Sequence, residues 1–97
     1  MQLICGNRLL SSRLVFTPSA WEDYLWFQEH DRRLLKRINV LIKDILRAPF
    51  EGIGKPEPLK GNLSGYWSRR INDEHRLVYT TTPADIVIIA CRYHYSR

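Results

Sequence analysis

Three residue types suited to RNA cleavage lie in the second half of the sequence. Glu57 lies between two prolines, Arg76 lies on a predicted hairpin, and His94 lies in the segment Cys-Arg-Tyr-His-Tyr. Attack of a ribose 2′-oxygen on the adjacent phosphorus needs a base, an acid and a cation that stabilises negative charge on the phosphate. Glu57, His94 and Arg76 are our candidates for these three roles, and the hypothesis requires no metal ion.

The chemistry of each candidate matches its role. Positioned acids and bases each typically accelerate a reaction by about 10² to 10⁴-fold. An arginine fork donates two hydrogen bonds to a phosphate and stays charged. Histidine has an ordinary pKa of about 6.5, so both of its protonation states are accessible near neutrality. A lone loop glutamate is usually only solvated, but the flanking prolines restrict the backbone and reduce the entropy lost in holding Glu57 in place.

Further cations and aromatic side chains surround these candidates. Lys60 and Arg70 can assist in phosphate binding, or they can be solvated surface cations. Four aromatic residues can stack on exposed bases or serve only in packing, namely Tyr66, Trp67, Tyr93 and Tyr95.

The lengths of two predicted turns define one face of the sheet. If residues 72–74 and 82–84 are three-residue loops, Arg70 lies opposite Arg76 and even-numbered residues share a face. Two opposed arginines repel each other, so this register favours an anion site between them. The even face would also hold His94, and the odd face would pack on the helices. In this register Ile86 and Ile88 belong to the even face, and Val87 and Ile89 to the odd face.

Periodicity and capping signals predict the elements that position these residues. A strand is expected near residues 13–16, followed by a helix with Thr17 as its N-cap and with Trp21 in the core. A second helix begins after Asp31 and stops before Pro49. Residues 49–65 form a long irregular connection, and three strands follow. The apolar face of the second helix holds Leu34, Ile38, Leu41, Ile42 and Ile45, and the strands are Tyr66–Ile71, His75–Thr81 and Asp85–Tyr93.

Length and charge favour one small domain with a polyanionic partner. The 97 residues are 44% hydrophobic and carry a net charge of +5. We expect an N-terminal extension over residues 1–13 and a single domain over 14–97. The second helix also has a basic face, which either contacts phosphates or is simply solvated. That face comprises Arg32, Arg33, Lys36, Arg37, Lys43 and Arg47.

Cysteine and histidine spacing predicts neither a metal site nor a disulfide framework. Cys5 and Cys91 are far apart in sequence, and neither His30 nor His75 has another ligand type at metal-binding spacing. We therefore expect chemistry without a cofactor. The sequence has no apolar run long enough to span a bilayer and no clear secretion signal, so the expected location is cytoplasmic.

Four segments together resemble the YoeB toxins of the RelE/YoeB superfamily. They read GKPEPLK, LSGYWSRRI, EHRLVY and CRYHY, and the resemblance runs from about Leu14 to Tyr95. It implies an α+β, microbial-ribonuclease-like (RelE-like) fold with two N-terminal helices packed on an antiparallel sheet. The function it implies is that of a type II toxin, an mRNA interferase that cuts messenger RNA in the ribosomal A site and inhibits translation.

The resemblance also implies residue roles and partners. Glu57 corresponds to the base, Arg76 to the phosphate-stabilising arginine and His94 to the general acid, while the RNA- and phosphate-binding positions fall on Lys60, Arg70 and Tyr95. The implied partners are a YefM-like antitoxin, the ribosome with its mRNA, and operator DNA bound jointly with the antitoxin. Toxin homodimers and 2:1 toxin–antitoxin complexes are implied as well. With the ribosome as a partner, the basic face of the second helix is the candidate docking surface, and charge reversal of Lys36 and Arg37 should weaken ribosome binding.

The sequence departs from the family pattern in two places, the extension before Leu14 and Ser96-Arg97 after the terminal tyrosine of the pattern.

Two rival interpretations of the function stay open. One rival is an RNA- or ribosome-binding module without catalysis, in which Glu57→Ala and His94→Ala leave the biological effect intact. The other is an inactive relative that only binds an antitoxin.

Overall fold

Two helices lie against one face of a five-stranded sheet in the computed structural model, which describes residues 13–93. The order of strands in the sheet is β1-β5-β4-β3-β2. No helix in the described range is long and apolar enough to cross a membrane. The elements are β1 (Arg13–Phe16), α1 (Pro18–His30), α2 (Arg32–Arg47), β2 (Glu57–Pro58), a 3₁₀ turn (Gly61–Leu63), β3 (Trp67–Arg70), β4 (Arg76–Thr81) and β5 (Asp85–Ala90).

The helices begin at the predicted caps. The Thr17 hydroxyl accepts a hydrogen bond from the Ala20 amide at 3.1 Å, and the Asp31 carboxylate accepts one from the Leu34 amide at 3.2 Å. Each cap satisfies an amide that lacks a partner within its own helix. The predicted apolar face of α2 is confirmed, because its buried residues are Ile38, Leu41, Ile42 and Ile45.

The buried face of α1 differs from the predicted one. Ala20 and Phe27, seven residues apart, are fully buried. Trp21 is 48% exposed and stacks on Tyr24 with ring centroids 5.4 Å apart. The prediction that Trp21 belongs to the core is therefore wrong. Ala20 and Phe27 are on the same side of α1 because two helical turns separate them.

The predicted fold class is confirmed, with one addition. Strands β2 to β5 pair antiparallel, as expected for an α+β fold with two helices on an antiparallel sheet. The short strand β1 pairs parallel to β5, with Arg13 opposite Asp85. The sheet is therefore mostly antiparallel.

The turn between β3 and β4 gives the predicted register. Arg70 lies opposite Arg76. On the odd-numbered face, Leu77 and Tyr79 are fully buried in the core. The hairpin therefore separates an arginine-bearing face from a face that packs on the helices.

A bulge changes the register on the next pair of strands. Val78 pairs with Ala90, but Tyr79 pairs with Ile88, so β5 has one extra residue at this point. Both Ile86 and Ile88 lie in the core cluster. Their predicted placement on the arginine face is wrong, because a bulge reverses the alternation of side chains on one strand relative to its partner.

The connection between α2 and β3 contains a strand that the sequence did not predict. Glu57 and Pro58 form β2, which pairs with Ser68 and Trp67 of β3. Two residues are too few for a periodicity signal. Earlier in the same loop, the Gly54 carbonyl accepts a hydrogen bond from the Arg70 amide at 2.7 Å. The loop is therefore attached to the sheet edge rather than projecting from it.

Gly54→Ala is expected to destabilise the fold by about 1–3 kcal/mol. Gly54 has a φ of +78°, and an added Cβ would lie 2.7 Å from Leu41 Cδ2. Gly61→Ala is the matched control, because Gly61 has a φ of +66° with nothing within 4 Å of an added Cβ. Both variants place alanine at a positive φ, but only Gly54→Ala also brings the added Cβ into overlap with Leu41. Comparing their stabilities by urea denaturation therefore separates backbone strain from steric overlap. Equal losses of stability would show that the contact with Leu41 has no effect.

Candidate active site

One face of the sheet carries three of the predicted site residues. Glu57 pairs with Ser68, Ser68 pairs with Val78, and Arg70 pairs with Arg76. Paired residues on neighbouring strands project to the same face, as do residues two apart on one strand. Glu57, Arg70 and Arg76 therefore share a face. Because β3 separates β2 from β4, the backbones of Glu57 and Arg76 are about 10 Å apart measured across the strands.

The Arg76 guanidinium is held by the turn that precedes β4. Only 9% of Arg76 is exposed. Its Nη1 donates to the backbone oxygens of Asn72 at 2.6 Å and His75 at 3.1 Å. The Asn72 side chain in turn accepts from the His75 amide at 2.7 Å. Within residues 13–93, the hydrogen bonds of this guanidinium all use Nη1.

Arg70 is exposed beside Arg76. Its Nη1 lies 3.9 Å from a carboxylate oxygen of the fully exposed Asp73, which is a weak pair in water. Its backbone oxygen accepts a hydrogen bond from Arg37 Nη2 at 3.1 Å. The basic face of α2 therefore contacts the backbone of β3 at Arg70.

Glu57 and Lys60 are both exposed on the segment that runs along the sheet edge. Glu57 is placed by the pairing of β2 with β3, and the Lys60 carbonyl accepts from the Leu63 amide at 3.1 Å. Leu59 anchors the segment, since its side chain is buried and its amide donates to the Tyr66 carbonyl at 2.9 Å. Their charged groups are therefore accessible to a ligand.

Residues 91–93 continue from β5 alongside the start of β4. The Cys91 amide donates to the Asp23 carboxylate at 3.0 Å, and the Arg76 amide donates to the Tyr93 carbonyl at 3.1 Å. Tyr93 is 52% exposed. Tyr93 is therefore next to Arg76, whereas the candidates His94 and Tyr95 lie outside the described residues.

Two ionisable groups near this segment have shifted pKa values. Burial raises the pKa of Asp23, in opposition to its hydrogen bond from the Cys91 amide and the charge of Arg92. Burial, reinforced by the charge of Asp23, raises the pKa of the Cys91 thiol to about 12. Because the thiolate is the nucleophilic form, Cys91 is an inert core residue at neutral pH.

The aromatic residues divide between the two faces. Trp67 pairs with Tyr79 and contacts Phe50, with ring centroids 4.9 Å apart. Since Tyr79 is in the core, Trp67 lies on the helix-facing side. Of the two roles considered for Trp67, this position favours packing over stacking on bases. Tyr93 keeps an exposed ring, against which the Arg92 guanidinium packs at 4.7 Å.

A buried arginine beneath the site was missed by the sequence interpretation. Arg69 is fully buried and donates to the Asp44 carboxylate at 2.6 Å. It also donates to the Ala48 carbonyl at 2.7 Å and the Glu51 carbonyl at 3.0 Å. The sequence signal that could have identified Arg69 is its odd-numbered position on β3, because the predicted register places odd-numbered side chains on the core side. Arg69 fixes the loop that leads to Glu57.

The ion pair with Arg69 lies at the edge of the core. Burial by itself raises the pKa of Asp44. Hydrogen bonds from Arg69, the Ile53 amide and Arg47 outweigh that effect and lower the pKa to about 2. Asp44 is therefore ionised throughout the neutral range, and the pair with Arg69 is a permanent structural charge pair.

The chain is similar to bacterial toxins over most of its length. A family model described as "YoeB-like toxin of bacterial type II toxin-antitoxin system" matches residues 16–95. Toxin YoeB of Synechocystis is 68% identical over 85 residues, which are 88% of this chain and 99% of the relative.

Solved structures agree with the sequence match. The YoeB dimer from Staphylococcus aureus superposes with a TM-score of 0.81 at 55% identity, covering 88% of this chain and 99% of the other. A heterotetrameric YoeB–YefM toxin–antitoxin complex from the same species gives a TM-score of 0.79 at 56% identity, covering 86% and 97%. These similarities confirm the RelE-like fold expected from the sequence. The chain belongs to the YoeB-like toxin family of bacterial type II toxin–antitoxin systems.

Proposed function

We propose that this toxin is a ribosome-dependent endoribonuclease, an mRNA interferase that cleaves messenger RNA in the ribosomal A site and so inhibits translation. The observation that carries the proposal is the shared sheet face of Glu57, Arg70 and Arg76. The backbone contact between Arg76 and Tyr93 adds support, because His94 follows Tyr93 directly in the sequence.

In the proposed reaction, Glu57 removes the proton of the ribose 2′-hydroxyl. The 2′-oxygen attacks the adjacent phosphorus, and the bond from phosphorus to the 5′-oxygen breaks. His94 donates a proton to that 5′-oxygen, which leaves a 2′,3′-cyclic phosphate and a free 5′-hydroxyl. Protons and charge balance without a redox step, and these residues need no added cofactor for it.

Arg76 binds the phosphate during this step. Because Nη1 is already held by turn carbonyls, the guanidinium needs little reorganisation when negative charge develops. Arg70 lies opposite on the neighbouring strand and adds a second positive charge. An anion between the two arginines relieves their mutual repulsion. Lys60 and Tyr95 complete the proposed RNA-binding set.

The ribosome supplies orientation in this proposal. The domain is small and basic, and contacts to ribosomal RNA can hold it while the messenger is presented in a reactive geometry. The docking surface is the basic face of α2, which contacts β3 where Arg37 hydrogen-bonds to the Arg70 carbonyl. Lys36 is exposed on that helix, whereas Arg37 is partly buried.

Lys36→Ala is expected to weaken ribosome binding and to reduce the salt dependence of the affinity by about one unit of slope. Lys36 is chosen because, unlike Arg37, it has an exposed side chain. Arg13→Ala is the control, since Arg13 lies on the far edge strand β1 and pairs with Asp85. Ribosome affinity is measured across a salt series. An unchanged slope for Lys36→Ala would remove α2 as the docking surface.

Cleavage mapping on programmed ribosomes tests the proposed function. Wild-type protein is added to stalled ribosomes and to the same messenger free in solution, with divalent ions kept equal in both arms. We expect cuts in the A-site codon only in the ribosome arm. Ribosome binding without any cut would favour the rival RNA-binding module, and efficient cutting of free RNA would contradict the requirement for the ribosome.

A YefM-like antitoxin is the proposed inhibitor, and the S. aureus YoeB–YefM complex supports this assignment by similarity. An acidic, partly disordered partner that folds on binding would suit the basic site face. The S. aureus YoeB dimer supports a toxin homodimer as a second assembly. The third proposed assembly is a 2:1 toxin–antitoxin complex that binds operator DNA. Because ribosomes and messenger RNA are its proposed targets, the proposed location is the cytoplasm.

A further inference from the structure

We propose that His75 is a positioning residue, which holds the backbone of Tyr93, the residue directly before His94 in the sequence, beside Arg76. This inference rests on the proposed endoribonuclease function. His75 lies directly before Arg76. From the sequence it was considered only as a metal ligand, and that role was rejected because no other ligand type lies at metal-binding spacing. Its contacts assign it a different role.

Two successive residues hold Tyr93 from both sides of its backbone. The Tyr93 amide donates to His75 Nδ1 at 2.7 Å, and the Tyr93 carbonyl accepts from the Arg76 amide at 3.1 Å. A backbone ladder would supply a carbonyl for the first of these bonds, but here a side chain supplies the acceptor. The bond from His75 therefore continues the attachment of residues 91–93 where β5 has already ended at Ala90.

The His75 ring is itself fixed in place. His75 is 5% exposed, and its ring lies edge-on to Phe27 with centroids 5.1 Å apart. Its amide donates to the Asn72 side chain at 2.7 Å, and its carbonyl accepts from the Ile71 amide at 3.0 Å. A fixed acceptor can place the Tyr93 amide at a defined point.

The hydrogen bond also defines the chemical form of the ring. A backbone amide can only donate, so Nδ1 must present a lone pair, and the neutral ring carries its proton on Nε2. Nε2 lies 3.6 Å from a carboxylate oxygen of Glu74. Any replacement that keeps an acceptor at the position of Nδ1 should therefore preserve the attachment. Asparagine does so with Oδ1, whereas leucine has no acceptor.

The same residue contacts the phosphate-binding group. The His75 carbonyl accepts from Arg76 Nη1 at 3.1 Å. His75 therefore touches Arg76 through its backbone and Tyr93 through its ring. Since misplacing a catalytic group by about 1 Å can reduce the rate roughly 100-fold, loss of the ring acceptor is expected to lower cleavage without removing any reacting group.

Nuclear magnetic resonance tests the attachment independently of activity. In wild-type protein we expect slow hydrogen exchange at the Tyr93 amide and ring nitrogen signals of the Nε2–H form at His75. Exchange at Tyr93 should accelerate in His75→Leu but not in His75→Asn. Rapid exchange at Tyr93 in the wild type, or a proton on Nδ1, would overturn the inference whether or not the protein cleaves RNA.

Single-turnover cleavage on programmed ribosomes tests the functional consequence. His75→Leu should lower the rate roughly 10- to 100-fold, and His75→Asn should recover most of that loss. His30→Leu is the control, because His30 is exposed and stacks on Trp26. Thermal unfolding of each variant separates local from global effects. Equal rates for the leucine and asparagine variants, at equal stability, would overturn the inference, whereas an inactive wild type would instead reject the proposed function.

Discussion

Arg69→Met is expected to destabilise the fold by about 3–5 kcal/mol, a large share of the 5–15 kcal/mol typical of a small domain. Methionine fills much of the same volume but leaves the Asp44 carboxylate without its buried partner. The carbonyls of Ala48, Glu51 and Ile53 also lose their donor. Chemical denaturation at neutral pH measures the loss.

Arg70→Met is the matched control, since Arg70 is the next residue on β3 and is exposed. Its substitution should change the free energy of unfolding by less than about 1 kcal/mol. The double variant Arg69→Met/Asp44→Leu should recover only part of the loss, because the three loop carbonyls still lack a donor. Full recovery would show that the charge pair alone, and not the attachment of the loop, determines the effect.

The same pair predicts a dependence of stability on pH. The pKa of Asp44 is lowered in the folded protein from 3.8 to about 2. A lowered carboxyl pKa stabilises the fold above the unfolded value, and this contribution is lost as pH falls from about 4 towards 2. Asp44→Asn should lack this component and lose less stability than the wild type over that interval. Parallel stability curves for the two proteins would contradict the assignment.

Local signals accounted for the parts of the fold that were predicted correctly. The caps Thr17 and Asp31 act within three residues, so their roles are visible in the sequence. The apolar repeat of α2 extends over several turns, and the short turn after Arg70 sets the register of the hairpin. These features depend on residues that are close to one another in the sequence, so local sequence patterns can predict them.

The incorrect predictions depend on contacts between distant segments. The bulge that turns Ile88 towards the helices arises from how β4 meets β5, and strict alternation cannot show it. The burial of Arg69 depends on Asp44, which lies 25 residues earlier. In the candidate site, Arg76 was correctly placed opposite Arg70 from turn length, but the face of Glu57 depends on β2, whose two residues have no periodic pattern.

Arg76→Ala is expected to lower single-turnover cleavage by about 10² to 10³-fold while leaving ribosome affinity nearly unchanged. Loss of one preorganised donor to a developing oxyanion has an effect of this size. Arg76→Lys should recover part of the rate, since the charge remains but the fork is lost. Arg13→Ala is the control, because that arginine lies on the edge strand β1, which β5 separates from β4. Glu57→Gln and His94→Gln, which remove the base and the acid, should each lower the rate about 10² to 10⁴-fold.

The pattern of cleavage rates across the variants is more informative than the loss of rate in any single variant. Residues that act on one reaction step as a unit give combined effects well below the product of their separate effects. A double variant of Glu57 and Arg76 should therefore be little slower than the more impaired single variant. Fully multiplicative losses would show that the two side chains act independently. Full activity of Arg76→Ala would reject the phosphate role and leave the shared face as a binding surface for RNA or antitoxin.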